Sequence, residues 1–197
     1  MTDTRGPIFY RGRSPVVLAS ASPRRVALLR QVGLRFTVAD PGPDRPWPQG
    51  AEPRHGVRAL ALEKARRVAA RRRSALVIGA DTVVTARGRR LGKPVNQADA
   101  LDMLGRLEGR THEVWTGVAV VRSGEQRTAS VCTRVRFAPL EEWEMLAYVL
   151  SGEPMDKAGG YGIQGLGGAF VRAIEGDYFN VVGLPLERLR RVLADFE

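Results

Sequence analysis

Apolar residues follow two rhythms along this chain. Short unbroken runs, such as PVVLA at 15–19 and ALVIGA at 75–80, have the length and β-branched content of buried strands. Elsewhere apolar residues recur every three or four positions, the spacing of an amphipathic helix. The first rhythm predicts strands over 15–19, 34–39, 75–80, 83–85 and 169–174. The second predicts helices over 23–32, 54–73, 97–107, 140–150 and 185–195. Strict alternation in VCTRVRF, 131–137, predicts a half-exposed antiparallel strand within 126–137, paired with 112–121 across a Ser123-Gly124 turn.

The punctuation agrees with these bounds. Ser22 is a natural N-cap, Pro23 a natural first helical residue, and Gly33 a natural stop. Residues 40–53 are rich in Pro and Gly and read as an exposed loop, and 87–90 as a turn. Glycine is densest over 152–168. Helices interleaved with both buried and alternating strands imply an α/β fold, a mixed, twisted sheet flanked by helices. The 197 residues suit one well-buried domain, or one domain with two lobes. That domain is expected over 15–197. Residues 1–14 read as a loose extension without the apolar core of a signal peptide.

Composition narrows the function. A formal net charge of +10 suits a polyanionic partner: nucleic acid, nucleotide or an anionic surface. Arginine is spread along the whole chain, however, so clusters such as Arg71-Arg72-Arg73 also read as a solvated helix end. Only three of the 31 Lys and Arg residues are lysine, at 64, 93 and 157. A compact ammonium and a planar guanidinium are not interchangeable at a tight oxygen-binding site, so these positions are notable. The single Cys132 excludes an intrachain disulfide and favours a reducing, cytoplasmic setting. No apolar run is long enough to span a membrane, and the two histidines, His55 and His112, form no zinc-spaced cluster.

Four constellations can carry chemistry. Ser20-Ala-Ser22-Pro-Arg24-Arg25 opens a helix, where free N–H groups, hydroxyls and guanidiniums can cradle phosphate; ordinary capping with solvated arginines is the alternative. Asp81, in Gly79-Ala-Asp81-Thr82 at the end of an apolar strand, can hold a divalent ion or accept a proton from water, or merely form a turn. Lys93 stands in Gly92-Lys93-Pro94, where proline restrains the backbone. The segment from Gly152 to Gly165 combines close-packed glycines with Glu153, Asp156, Lys157 and Gln164. Tyr161, Ile163 and Leu166 between the glycines suit a shaped ligand loop, and Gln164 can read a base edge. Lys157 can instead pair with Glu153 and Asp156 and hold that loop in shape.

In order along the chain, LASASPRR, GADTVV, GKP, the stretch from Leu107 to Val118, GEPMDKAGGYGIQG and GDYFNVVGLPL resemble the Maf family of nucleoside triphosphate pyrophosphatases. The resemblance runs from Val16 to the C-terminus. It implies an inosine-triphosphatase-like fold, two lobes around a nucleotide-binding cleft. AGGYGIQG resembles the branch that cleaves dTTP and UTP, modified pyrimidine nucleotides included, to monophosphate and diphosphate. The alternatives are the 7-methyl-GTP branch and a basic nucleic-acid-binding or partner-binding protein without turnover. By resemblance, Asp81 is the catalytic proton acceptor and a possible metal ligand. Arg24, Thr82 and Gln164 set base specificity, and Ser20, Ser22, Arg25, Lys64 and Lys93 line the phosphates. The resemblance also implies Mg²⁺ or Mn²⁺, a nucleoside triphosphate substrate and no membrane or stable nucleic-acid partner. It is compatible with a homodimer, and with roles in nucleotide-pool cleansing and division arrest. One departure stands out. Where the family often carries an acidic pair after the second strand, this chain has Asp44-Arg45.

Overall fold

The structure is a computed structural model in which residues 9–197 are described. The described residues contain seven strands, six α-helices and three short 3-10 helices. The strands are β1 (Val16–Ala19), β2 (Thr37–Ala39), β3 (Leu76–Ala86), β4 (Arg89–Leu91), β5 (Thr111–Arg122), β6 (Glu125–Phe137) and β7 (Val171–Glu175). The helices are α1 (Pro23–Gln31), α2 (Pro53–Ala69), α3 (Gln97–Leu107), α4 (Glu142–Leu150), α5 (Tyr178–Val182) and α6 (Leu186–Ala194). The strands form a mixed sheet in the order β2-β1-β3-β5-β6-β7, with β4 paired to β3 off that path. β2, β1 and β3 are parallel, whereas β3–β4 and β6–β7 are antiparallel. This is the mixed α/β architecture expected from the two apolar rhythms.

The chain divides into two compact units. One contains residues up to 81, 116–131 and 183–197; the other contains 82–115 and 132–182. Each has its own core. In the first, Val17 and Ala19 of β1, Val77 of β3, and Ala119 and Val121 of β5 bury against Ala61, Ala65 and Val68 of α2. In the second, Met103, Leu104 and Leu107 of α3 pack with Phe137, Tyr148, Tyr161 and Phe170. Burial of such side chains removes apolar surface from water and is the main favourable term holding each unit. Of the expected extension, residues 1–8 lie outside the described residues, and Phe9 and Tyr10 are buried.

Several bounds differ from the sequence expectation, each for a local reason. The two runs 75–80 and 83–85 form one strand, β3, because Asp81 and Thr82 interrupt the apolar run without interrupting the extended backbone. The expected strand 34–39 is shortened to Thr37–Ala39. Leu34 is used to end α1: its N–H reaches Leu29 O (3.1 Å) while Gly33, at φ +71°, donates to Arg30 O (2.9 Å). These two bonds are a Schellman cap. The helix expected over 54–73 ends at Ala69, where tighter turns through Arg71 and Arg72 take over. The turn at 87–90 is a two-residue hairpin, Arg87 and Gly88 both at positive φ, that creates β4. α5 has no expected counterpart. It is five residues long, and the Asp177 carboxylate starts it by accepting from the N–H groups of Phe179 (2.8 Å) and Asn180 (3.3 Å). No helix among the described residues is long and apolar enough to cross a membrane.

Candidate active site

The first unit gathers Ser20, Arg25, Lys64 and Asp81. β1 delivers Ser20, which is buried, to the mouth of α1. The Ser20 hydroxyl accepts from Ser22 N (3.2 Å) and from Arg25 NH1 (3.2 Å). Ser22 occupies the N-cap position, but its hydroxyl makes no capping hydrogen bond, contrary to the sequence expectation. With Ser22's own N–H engaged by Ser20, the turn is organised from one residue pair upstream. Arg25 spreads its guanidinium over three chain segments, donating also to Ala80 O (3.0 Å) and to Gly183 O (2.8 Å). Burial pulls the Arg25 guanidinium below its ordinary value, and the Asp81 carboxylate opposes that shift. Arg24, half-buried beside it, adds a second positive charge.

Lys64 is the pivot of the array. Its ammonium lies 2.6 Å from Asp81 Oδ1 and 2.7 Å from Asp44 Oδ1, and only 8% of the residue is exposed. A buried ammonium is costly unless paired, and here two carboxylates share it. The geometry comes from Gly79. A Cβ there would lie 2.2 Å from Ala61 O and 2.9 Å from Ala65 N, so only glycine lets the α2 backbone rest directly on β3. Ala61 and Ala65 keep that face of α2 thin, and Lys64 between them reaches the strand two residues further on. Asp81 is thus held by a helix lysine, and Asp44 reaches the same lysine from the proline-rich loop.

Two carboxylates converging on one cation are hard oxygen donors of the kind Mg²⁺ and Mn²⁺ accept. Mg²⁺ commonly takes one or two carboxylates and completes its shell with water and substrate phosphates. Among the described residues no cluster of three or more His, Cys, Asp or Glu can hold a metal ion alone. The donor set therefore fits a cation shared with a phosphate chain, and does not fit an all-protein cage.

The second unit carries Thr82, Lys93 and Gln164. Thr82 follows Asp81 on β3 and is half-buried; Lys93 and Gln164 are exposed. The base-reading trio named from the sequence is thus divided, with Arg24 in the first unit and Thr82 and Gln164 in the second. The Lys93 turn is tied to the glycine-rich segment, Gly159 N donating to Gly92 O at 2.9 Å. That segment is a shaped loop, organised by Glu153, which the sequence singles out only as a polar residue of the loop and a partner for Lys157. Glu153 accepts from Tyr148 OH (2.9 Å), Leu166 N (2.9 Å) and Gly167 N (3.2 Å), and Tyr148 OH accepts from Gly162 N (3.0 Å). Partial burial pushes the Glu153 carboxyl up, but the N–H donors from Leu166 and Gly167 and the Tyr148 hydroxyl outweigh it and hold it below its usual range. The available signal was an acceptor-only side chain heading a run of glycines whose N–H groups need partners. Lys157 bonds Glu153 O (2.6 Å) and Asp156 Oδ1 (2.5 Å), the shape-holding alternative read from the sequence.

GDYFN is also structural. Thr133 Oγ1 donates to Asp177 O (3.0 Å), and Asn180 Nδ2 donates to Val114 O (2.9 Å) and Thr133 Oγ1 (3.0 Å), tying α5 to β5 and β6.

The mixed α/β sheet thus brings serine, arginine, lysine and carboxylate side chains together beside the start of α1. The family model described as Maf-like protein matches residues 15–196, and the chain belongs to that family. It is 53% identical over 181 residues to the dTTP/UTP pyrophosphatase of Symbiobacterium thermophilum, covering 92% of this chain and 93% of that protein. It is 52% identical over 185 residues to the dTTP/UTP pyrophosphatase of Moorella thermoacetica, covering 93% and 95%. With that of Pelotomaculum thermopropionicum the identity is 50% over 183 residues, covering 92% and 96%.

Proposed function

We propose that this chain is a nucleoside triphosphate pyrophosphatase acting on dTTP and UTP. Water attacks the α-phosphorus, the bond to the bridging α–β oxygen breaks, and the products are the monophosphate and pyrophosphate. The observation that carries the reading is the Asp44–Lys64–Asp81 array beside the Arg25 guanidinium, both charge signs fixed in one place.

A divalent cation bound by Asp44 and Asp81 together with the phosphate oxygens would supply additional charge neutralisation. Asp81 orients the attacking water and accepts its proton. Its 2.6 Å hydrogen bond from Lys64 fixes the carboxylate in direction. Lys64, Arg25, Ser20 and the mouth of α1 at Ser22 and Arg24 neutralise and align the phosphate chain, and the family resemblance assigns Lys93 to the phosphates as well. Catalysis by such a site is positioning and electrostatic stabilisation, with no covalent intermediate required. Thr82 and Gln164 read the base edge: a mismatched donor leaves a polar group unpaired, and that penalty gives selectivity. A homodimer and a reducing cytoplasmic setting are compatible with the assignment, the latter supported by the lone, half-buried Cys132.

Pyrophosphate release from dTTP, UTP, dCTP, GTP and 7-methyl-GTP with Mg²⁺ tests the reading. Preferential cleavage of dTTP and UTP is expected. Cleavage of 7-methyl-GTP alone defeats the base assignment. No turnover together with steeply salt-dependent duplex binding defeats the enzyme assignment. Asp81→Asn is expected to lower kcat by roughly 10²–10⁴-fold while remaining folded by circular dichroism.

A further inference from the structure

Asp44 is a loop residue asked to hold a fixed position. It lies between Pro43 and Arg45 in a segment without regular structure, and its side chain is 62% exposed. Nothing in the proline-rich sequence itself aims that carboxylate at Lys64. The lacing of this loop onto α2 and the turn that follows it supplies the aim.

Going forward along the loop, the partners recede along the helix. Asp40 O accepts from Arg71 (2.7 Å), Pro43 O from Arg67 (2.9 Å), Asp44 pairs with Lys64 (2.7 Å), and Arg45 Nε donates to Glu63 Oε1 (3.0 Å). Arg67 Nε also stands 3.6 Å from that Glu63 oxygen, so Glu63 is gripped from both sides. The contact is an antiparallel strap with Asp44 bracketed inside it. Upstream, two helix-side arginines hold backbone carbonyls; downstream, one side-chain pair closes the strap. The closing pair is exposed, 62% for Arg45 and 37% for Glu63. Exposed ion pairs add little to overall stability, so the consequence of this pair is local geometry.

We propose that Glu63, through its pair with Arg45, is a positioning residue for the Asp44 carboxylate, with Arg67 and Arg71 anchoring the same strap. An arginine at 45 brings a positive charge next to Asp44 that would otherwise compete with Lys64 for that carboxylate. Glu63 draws the guanidinium away and leaves Asp44 to Lys64 and to the cation it serves. The inference rests on the site reading above and goes beyond it by assigning a role to groups that touch neither substrate nor metal.

The test measures Mn²⁺ affinity of the full chain by electron paramagnetic resonance, with α,β-methylene-UTP present, alongside kcat, KM and half-saturating Mg²⁺ for UTP. Glu63→Gln is expected to weaken Mn²⁺ binding and raise half-saturating Mg²⁺ by about 10-fold, the scale of a lost outer-shell partner, with kcat at saturating Mg²⁺ little changed. The charge-swapped Arg45→Glu/Glu63→Arg protein is expected to recover most of that loss. On an Asp44→Asn background, Glu63→Gln should add nothing, since it acts through Asp44. The proposal is overturned if Glu63→Gln leaves Mn²⁺ affinity unchanged, if the swap fails to recover it, or if the full penalty persists without Asp44. Wild-type turnover of UTP tests the underlying reading separately. Should that turnover be absent, hydrogen exchange at Gly42, Asp44, Arg45 and Trp47 still decides the strap. Faster exchange in Glu63→Gln, restored by the swap, supports it; unchanged exchange overturns it.

Discussion

A methyl group at residue 79 would stand 2.2 Å from the Ala61 carbonyl oxygen, a separation no Cβ adopts. Gly79→Ala must therefore lift α2 from β3 and carry Lys64 away from Asp81. The expected result is a loss of about 1–3 kcal/mol in urea unfolding, the usual range for overpacking, with a fall in kcat larger than that of a distant core variant of equal stability. At this scale the sequence was informative about identity and silent about contact. Lys64 and Asp81 were legible as candidates, yet nothing in their spacing of 17 residues showed that one would grip the other. Asp44 was visible only as half of an altered acidic pair. The Ser22 hydroxyl was legible as a cap and does not cap, because its context is set by Ser20 and not by helix preference alone.

Elements with strong period or punctuation read cleanly. α3 is found over its expected residues because Asn96 caps it through Asp99 N (2.8 Å) and its apolar face, Ala100, Met103, Leu104 and Leu107, is fully expressed in the sequence. β4 and α5 were illegible because three-residue and five-residue elements carry too few positions to show a period. The glycine-rich loop lies between these cases: its shape was legible from its apolar residues, its organiser was not. Glu153→Gln replaces an oxygen acceptor by an NH₂ donor facing N–H groups. We expect a stability loss of about 1–3 kcal/mol for the unpaired donors, faster amide exchange at Gly162, Leu166 and Gly167, and weaker discrimination between UTP and dCTP through the neighbouring Gln164. Because the folded Glu153 carboxyl sits below its ordinary 4.5, its contribution is present above that value and is lost as pH falls through the folded value. Unfolding of wild type and Glu153→Gln should therefore converge in acid.

For the whole molecule, stability can be titrated at a buried group packed into the second core. His112 is 2% exposed in the second core, its Nε2 2.8 Å from the Tyr161 hydroxyl, and edge-on to Phe137 and Tyr161. Desolvation drives it from 6.5 down to about 4. The folded state then binds fewer protons than the unfolded state between those values, so stability rises with pH across that window. It is fully present above pH 6.5 and lost as pH falls toward 4, by at most about 3 kcal/mol. The thermal midpoint should drop over that interval in the wild type and stay flatter in His112→Phe, whatever the variant's stability at neutral pH. The mixed sheet was legible from buried and alternating strands together. The division into two cores was not, because β3, β5 and β6 each pass from one unit into the other, and a strand's apolar pattern does not record which core its residues join.

Arg25 bonds Ser20, Ala80 and Gly183, the last of them 158 positions away. During synthesis a ribosome-bound chain carries Ser20, Arg25, Lys64 and Asp81 long before Gly183 has left the exit tunnel. Until that last segment docks, the guanidinium lacks one of its anchors and the phosphate side of the site is incompletely held. A product terminated before Gly183 would lack that acceptor and leave the Arg25 guanidinium held only by Ser20 and Ala80 among these three partners.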